Sequence, residues 1–465
     1  MATELEQTRD RLMRSLQRER PALQRNDLYF EGEQPLKFIA PALQQQLGYR
    51  LSPIVINLAR FSTDVYENRL DIEGFRFAGA DSSDEELWQI FEHNDGQFLS
   101  QQAHREALAL SRAYALVGEG DSPDDVPLLT VESPFDAIHE DDPRTHEVKN
   151  GLKVWTELDK TRFASVYHPN GRQTWYRKKS EWVEDSFEVN EFKLCRMVPL
   201  INDPRILGRY RAGKFDERLG RSVFHDVVPL MDALNKIASD MMVSAEFHAL
   251  PRRWATGLSE EDFVDEATGQ QMETFSLVAG RLWGVESEKA EFGQFAEADL
   301  ANFHNTVKLL MQVSGQLLGL PSDYTAFSST NPPSEGAIRA SEAQLVKRAE
   351  RKQQALSSRW ERVQRLVLLT QGKKDSLEAR QIETLWRDAA TPTMAQQADA
   401  IVKLVTAKDG QGRSVLPVQQ AREDLGYSAT VQGRMADWDA QNLADLQLDG
   451  ALRGLSELAN SGTGQ

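Results

Sequence analysis

Apolar and polar positions in this chain change period several times. Leu5, Leu12 and Leu16 fall on one side of a helix over 1–20, followed by an irregular stretch containing Tyr29-Phe30-Glu31-Gly32. Leu58, Phe61, Val65 and Leu70 predict a helix over 56–70, running into a short strand near Gly74-Phe75-Arg76-Phe77. Helical spacing returns over 84–93 and 98–113. From 116 to 199 the period becomes that of strands, rich in Val, Trp, Tyr and Phe. Asp142-Pro143-Arg144-Thr145 and Pro169-Asn170-Gly171-Arg172 are turn signals within that region. The first 200 or so residues therefore read as α+β with an antiparallel sheet.

The second half is dominated by long helical spacings. Val227, Met231, Leu234, Ala238, Met241 and Ala245 form one apolar stripe over 222–249, with Asp226, Asp232, Lys236 and Asp240 on the other side, and Pro251 ends the run. Residues 251–297 form an insert with 10 acidic and 4 basic side chains, in which Phe275-Ser276-Leu277-Val278 and Arg281-Leu282-Trp283-Gly284-Val285 read as strands. A helix over 298–320 brings the chain back and stops at Gly319-Leu320-Pro321. After a short polar loop, Pro332 and Pro333 forbid helix on their N-terminal side, and Ser334 caps a very long helix that runs to about residue 370. A loop held between rigid rods suits a channel scaffold or an assembly. The tail, 391–465, is mostly helical and acidic, and no fixed-period repeat is present.

Composition narrows the possibilities. The 465 residues carry 54 Lys+Arg against 71 Asp+Glu, a net charge of −17 that disfavours tight non-specific grip on nucleic acid. The single Cys195 excludes a disulfide framework within the chain and any cysteine-based metal site. No apolar run is long enough to predict a membrane span, and 1–20 lacks the apolar core of a signal peptide. Gly208-Arg209-Tyr210-Arg211-Ala212-Gly213-Lys214-Phe215 nearly matches a phosphate-binding loop, but Phe215 stands where the Mg²⁺-binding hydroxyl is needed. His139, Glu140, Asp141, Asp142, His146 and Glu147 flank a turn and read as a solvated hairpin rather than a metal site. No pattern argues for catalysis, a metal or a cofactor.

One basic island breaks the acidic background. Residues 334–370 hold 8 basic and 4 acidic side chains, with Lys347, Arg348, Arg351 and Lys352 clustered within two turns. Three readings remain open for it: a phosphate-facing patch, a solvated face, or a surface pairing with acidic groups of another subunit. Ile338, Leu345, Ala349, Leu356, Trp360, Val363 and Val367 supply the same helix with its apolar face. Arg252, Arg253 and Trp254 either contact a partner or offset the negative end of the preceding helix.

In this order, several short motifs resemble the portal (head-to-tail connector) proteins of long-tailed bacteriophages, over nearly the whole chain. They are Tyr29-Phe30-Glu31-Gly32, Ile56-Asn57-Leu58-Ala59-Arg60, Arg69-Leu70 with Glu73-Gly74-Phe75, and Asp142-Pro143-Arg144-Thr145. Gly220-Arg221-Ser222-Val223-Phe224, Leu230-Met231-Asp232-Ala233-Leu234-Asn235-Lys236, Pro251-Arg252-Arg253-Trp254-Ala255-Thr256-Gly257 and Asn331-Pro332-Pro333-Ser334-Glu335-Gly336-Ala337-Ile338 complete the set. Phe61-Ser62-Thr63-Asp64 is more polar than the pattern leads one to expect.

The resemblance implies an α+β portal fold: a wing (1–221), a stem helix (222–250), a small α/β clip (251–297), a second stem helix (298–320), a tunnel loop (321–333), a tunnel helix (334–371), a wing return (372–390) and a helical crown and tail (391–465). It also implies a homo-oligomeric ring of about twelve subunits at one capsid vertex, assembled in the host cytoplasm. Double-stranded DNA would pass non-specifically through it during packaging and ejection. Terminase, a head-tail adaptor, and major capsid and scaffold proteins would be partners, with no membrane and no cofactor. Ser328, Ser329, Thr330 and Asn331 are then the residues expected closest to DNA, followed by Lys308 and Lys236. Arg252, Arg253 and Trp254 would meet a partner at the clip. The alternatives are another phage structural protein, such as a minor capsid or adaptor protein, and a packaging ATPase built on the near-miss loop.

Overall fold

The computed structural model describes residues 3–37, 54–80, 83–120, 126–206, 217–249, 253–256, 291–294, 300–325, 335–373, 376, 379–390, 394–408, 410, 412–425, 434–435 and 438–439. The chain divides into two compact units, Met1–Ala389 and Ala390–Gln465.

The first unit opens with helix α1 (Glu4–Glu31), capped by a reciprocal pair: the Thr3 hydroxyl accepts from Glu6 N–H, and the Glu6 carboxylate accepts from Thr3 N–H. The helix does not stop near residue 20. It continues through Pro21 and takes in Tyr29, Phe30 and Glu31, which the sequence places in an irregular stretch. Proline inside a helix costs about 3 kcal/mol. Leu23 and Tyr29, 0% and 3% exposed, repay it, since each fully buried side chain contributes roughly 1.5–3 kcal/mol.

Helix α2 (Leu58–Glu67) starts at Asn57, whose side chain caps Arg60 N–H and also donates to the Phe30 carbonyl at 2.8 Å. Two of the sequence motifs thus meet, and Arg60 adds an ion pair to Glu31. Ser62 and Thr63 are fully buried; both hydroxyls donate to the Ala59 carbonyl, which satisfies the unexpected polarity within the helix itself. Strand β1 (Ile72–Phe77), helix α3 (Glu85–His93) and helix α4 (Gly96–Leu110) follow.

Two antiparallel sheets come next. Strand β2 (Arg112–Gly118) lies between β3 (Leu128–Glu132) and β9 (Met197–Ile201). The other sheet is a five-stranded meander of β4 (Ala137–Asp141), β5 (Val148–Thr156), β6 (Arg162–His168), β7 (Gly171–Lys178) and β8 (Glu181–Val189). Leu12 and Leu16 of α1 pack onto the meander's Ile138, Leu152, Val154, Ala164, Val166 and Trp175. The rest of α1 packs into the main core, so one helix closes two cores.

A 3₁₀ turn at His225–Val227 leads into α5 (Val228–Ala249), a later start than the expected 222. Met231, Leu234 and Ala238 are buried as expected, but Asp232 from the polar side is buried too. It accepts from Tyr29 Oη and Lys37 Nζ, both at 2.6 Å, and so ties α1 to α5. Strands β10 (Arg253–Thr256) and β11 (Glu291–Gln294) pair antiparallel and close the insert at its base, an element the alternation pattern did not reveal. The strands expected at 275–278 and 281–285 lie outside the described residues.

Helix α6 (Ala301–Leu318) packs on α5, and a single turn, α7 (Ser322–Thr325), follows. Helix α8 (Glu335–Thr370) has 36 residues, about 54 Å at 1.5 Å per residue. Its Leu345, Ala349, Leu356, Trp360, Val363 and Val367 are all buried. Strand β12 (Ile382–Trp386) then returns to pair with β1, and Gln353 of α8 donates to the Arg69 and Arg387 carbonyls beside that pair, each at 2.9 Å.

The second unit contains α9 (Met394–Thr406) and α10 (Val418–Asp424), linked by a bridge between Lys408 and Ser414.

Candidate functional site

The four clustered cations of α8 have different surroundings. Lys347 is exposed and pairs with Glu350 one turn on, at 2.7 Å. Arg348 donates from Nη1 to the Leu317 carbonyl at 2.8 Å, and its guanidinium lies over Gly319. Gly319 has φ +73°, and a Cβ there would meet the Arg348 side chain at 2.8 Å. Glycine therefore ends α6 at positive φ without strain and leaves room for the Arg348 side chain where α8 crosses it.

Arg348, Arg351 and Lys352 line a cavity of about 470 Å³. Lys352 is half-buried: it donates to Oδ1 of Asn202 at 2.5 Å, with its amine 5.3 Å from the Tyr66 ring. Burial lowers its pKa to about 8, opposed by the nearby Asp203 carboxylate and reinforced by Arg348.

Asn202 organises this wall. Its N–H donates to the Ser111 carbonyl at 2.9 Å, its carbonyl accepts from Arg221 N–H at 2.9 Å, and its Nδ2 donates to the Arg221 carbonyl at 2.6 Å. Within this contact Gly220 has φ +87°, with the Asn202 and Ser111 carbonyls 2.5 and 2.6 Å from where a Cβ would sit. The close approach delivers Arg221 and Ser222 to the cavity, opposite α8. Counting Arg221, Arg348, Arg351 and Lys352 against Asp203 and Asp226, the lining carries two more positive than negative groups in a chain of net −17. At its inner end His104 accepts from Trp360 Nε1–H at 2.9 Å, and complete burial holds it neutral, its pKa depressed to about 3.

The remaining candidates are dispersed. Lys236 pairs with Asp240 on the same face of α5. Lys308 is exposed on α6, and no described residue partners it. Ser328, Ser329, Thr330, Asn331 and Arg252 lie outside the described residues, as does the near-miss loop 208–215. Arg253 and Trp254 open β10, in register with Gln294 and Gly293.

The expected solvated hairpin needs correction. Asp142 does form the turn, accepting from Arg144 and Thr145 N–H groups that hold its carboxyl below the usual range. His139 is buried, however, and its Nδ1 lies 3.1 Å from Tyr114 Oη. Glu140 is held by Arg11 and Asn150. Cys195 is buried, and desolvation pushes its thiol up to about 11. Among the described residues no group of three or more His, Cys, Asp or Glu could hold a metal ion, and no helix is long and apolar enough to cross a membrane.

Sequence reasoning found the basic half of the cavity and missed the other wall. Gly220-Arg221-Ser222 was visible as a motif, but nothing local to it or to Asn202 shows that they face α8 across 150 residues of chain.

Residues 10–420 match the sequence profile of a family described as phage portal protein, SPP1 Gp6-like. The portal protein of Mycobacterium phage D29 is 31% identical over 446 residues, covering 94% of this chain and 89% of the relative. The portal protein of Mycobacterium phage L5 is 30% identical over 429 residues, covering 90% and 85%.

Proposed function

The chain belongs to the SPP1 Gp6-like phage portal proteins, structural components of the virion, and from that premise we propose that its copies close a ring through which duplex DNA enters and leaves one capsid vertex. About twelve subunits form the ring, which docks terminase during packaging and a tail adaptor afterwards. It contacts the major capsid and scaffold proteins during assembly in the host cytoplasm. Residues 1–221 and 372–390 are its wing, 222–250 and 298–320 its stem, 251–297 its clip, 334–371 its tunnel helix and 391–465 its crown.

The observation that carries this reading is the rod assembly. Helices α5 and α6 pack as a pair joined through the strand-closed insert, and α8 follows directly after a short loop. The pairing of β12 with β1 supports the assignment of 372–390 to the wing. Charge supports the conduit: DNA must slide, and a strongly acidic protein with isolated basic groups does not hold phosphates fast. Of the channel candidates, Lys308 is exposed and unpartnered among the described residues, whereas Lys236 is engaged by Asp240. Ser328, Ser329, Thr330 and Asn331 of the tunnel loop (321–333) lie closest to passing DNA, and Arg252, Arg253 and Trp254 meet a partner at the clip.

Light scattering of the purified chain, with class averages from electron microscopy, tests the ring. About twelve 52.5-kDa subunits around a central hole are expected. A monomer that forms no ring even with its scaffold protein present rejects the proposal. Replacing Ser328–Asn331 with bulky acids should impair packaging in rings that still assemble; undiminished packaging removes the loop from the mechanism.

A further inference from the structure

We propose that the cavity between α8 and the 202–222 wall is a binding site for a phosphate-class oxyanion, free or carried on a small molecule. The proposal does not depend on the portal reading. Three independent observations point to it.

The first is unsatisfied donor capacity. Ser222 Oγ lines the cavity, the residue is only 4% exposed, and the hydroxyl has no hydrogen-bond partner among the described residues. Arg351 also lines it, exposed and with no hydrogen-bond or ion-pair partner among the described residues. A buried donor left unmade costs about 1–3 kcal/mol, so the idle Ser222 hydroxyl is one that an acceptor completes.

The second is charge. The lining holds Arg221, Arg348, Arg351 and Lys352 against Asp203 and Asp226, two more positive than negative groups. A phosphate or phosphomonoester carries about −1.5 to −2 near pH 7 and presents several acceptor oxygens, whereas a single carboxylate would leave a net positive charge behind. Guanidinium groups match phosphate geometry well. Lys352 adds a desolvated cation that a bound anion would stabilise, and its amine is already oriented by Asn202.

The third is shape. At about 470 Å³ the cavity is the size of ordinary small-ligand sites, and it is too small to admit a duplex. Leu108, Val227, Leu318 and Leu356 give it an apolar floor that inorganic phosphate alone would not cover.

Calorimetric titration of the full chain with inorganic phosphate, against chloride at equal ionic strength, tests this. One saturable site per subunit is expected. Arg351→Gln should weaken binding about tenfold or more, and Ser222→Ala, which leaves every charge in place, a few-fold. Lys347→Gln, on the same helix but outside the cavity, should leave affinity unchanged. Adenosine monophosphate compared with adenosine distinguishes the source. Tighter binding than phosphate means that a small phosphorylated molecule is the ligand; equal binding means phosphate itself. Should Arg351→Gln not fold, the ¹³Cε signal of Lys352 decides. Saturating phosphate should move its titration midpoint upward from about 8, because the anion favours the charged amine. No saturable binding, an unmoved Lys352 midpoint, or equal losses in Lys347→Gln and Arg351→Gln would each overturn the proposal.

Discussion

Trp175 and Leu309 are both large apolar side chains on regular elements, yet Trp175 is fully buried and Leu309 is 59% exposed. Trp175 belongs to the β4–β8 meander, where the inward positions of four strands meet Leu12 and Leu16 of α1 and the Arg9 guanidinium covers the indole at 5.0 Å. Leu309 belongs to α6. There Val307, Ser314 and Leu318 face the core, while Leu309, Val313 and Leu317, spaced i, i+4 and i+8, face outward. The core that β4–β7 form with α1 finishes its packing within one chain, whereas Phe187 and Val189 of the edge strand β8 stay exposed. The rod region leaves an apolar stripe and a cationic cavity open. The two regions therefore differ in how much of their apolar and charged surface one chain satisfies by itself.

The largest expected effect breaks the closed region. Trp175→Ala should cost about 3–5 kcal/mol in denaturant unfolding, since the indole fills the centre of a core with one helix as its cover. A loss below about 1 kcal/mol would mean that the meander collapses onto the gap and is less closed than its burial indicates.

A second effect appears only in acid and lies where α8 joins the main core. The unfolded chain protonates His104 near pH 6.5, whereas the folded chain keeps it neutral to about pH 3. Between those values the unfolded state binds the extra proton, so stability falls as pH falls, by on the order of 5 kcal/mol in all. His104→Gln can still offer Trp360 an acceptor but cannot titrate. It should be somewhat less stable than the parent at pH 7 and gain on it steadily towards pH 4. Parallel unfolding curves at every pH would show that His104 is not the group responsible.

How far these features were legible differs by scale. Period alone located most helices, the strand-rich stretch and the buried face of α8, because each element's own spacing encodes its buried side. It failed at Pro21, where long-range burial of Leu23 and Tyr29 outweighs a local breaker. It failed at β10 and β11, which are short and pair across the 34 residues between Thr256 and Glu291. His139 was misread as solvated, because nothing in its own strand announces Tyr114. The cationic cavity was half legible: charge density marked α8, but only the fold reveals that Arg348, Arg351 and Lys352 turn towards Asn202 and Ser222 while Lys347 turns away.

A third effect probes the joint between the rods. Gly319→Ala places a Cβ at positive φ and against the Arg348 side chain, which can swing aside. The expected loss is about 1–2 kcal/mol in the same unfolding assay, most of it from the backbone. A neutral result would show that the α6–α8 crossing adjusts freely.

The smallest effect on stability should be the most informative about assembly. In Leu309→Ser/Leu317→Ser both changes fall on the outward stripe of α6, where little apolar contact is lost within the subunit, so stability should stay within about 0.5 kcal/mol per site. The ring proposal predicts that a neighbour covers this stripe. There each lost leucine removes roughly 1.5–3 kcal/mol of burial, repeated at every interface around the circle. The variant should therefore unfold like the parent at low concentration yet elute as small species where the parent forms rings. Intact rings would mean that the exposed stripe serves some other contact, and the contrast with Trp175 would then concern packing alone. Loss of both folding and rings would mean that the stripe is needed within the subunit, despite its exposure there.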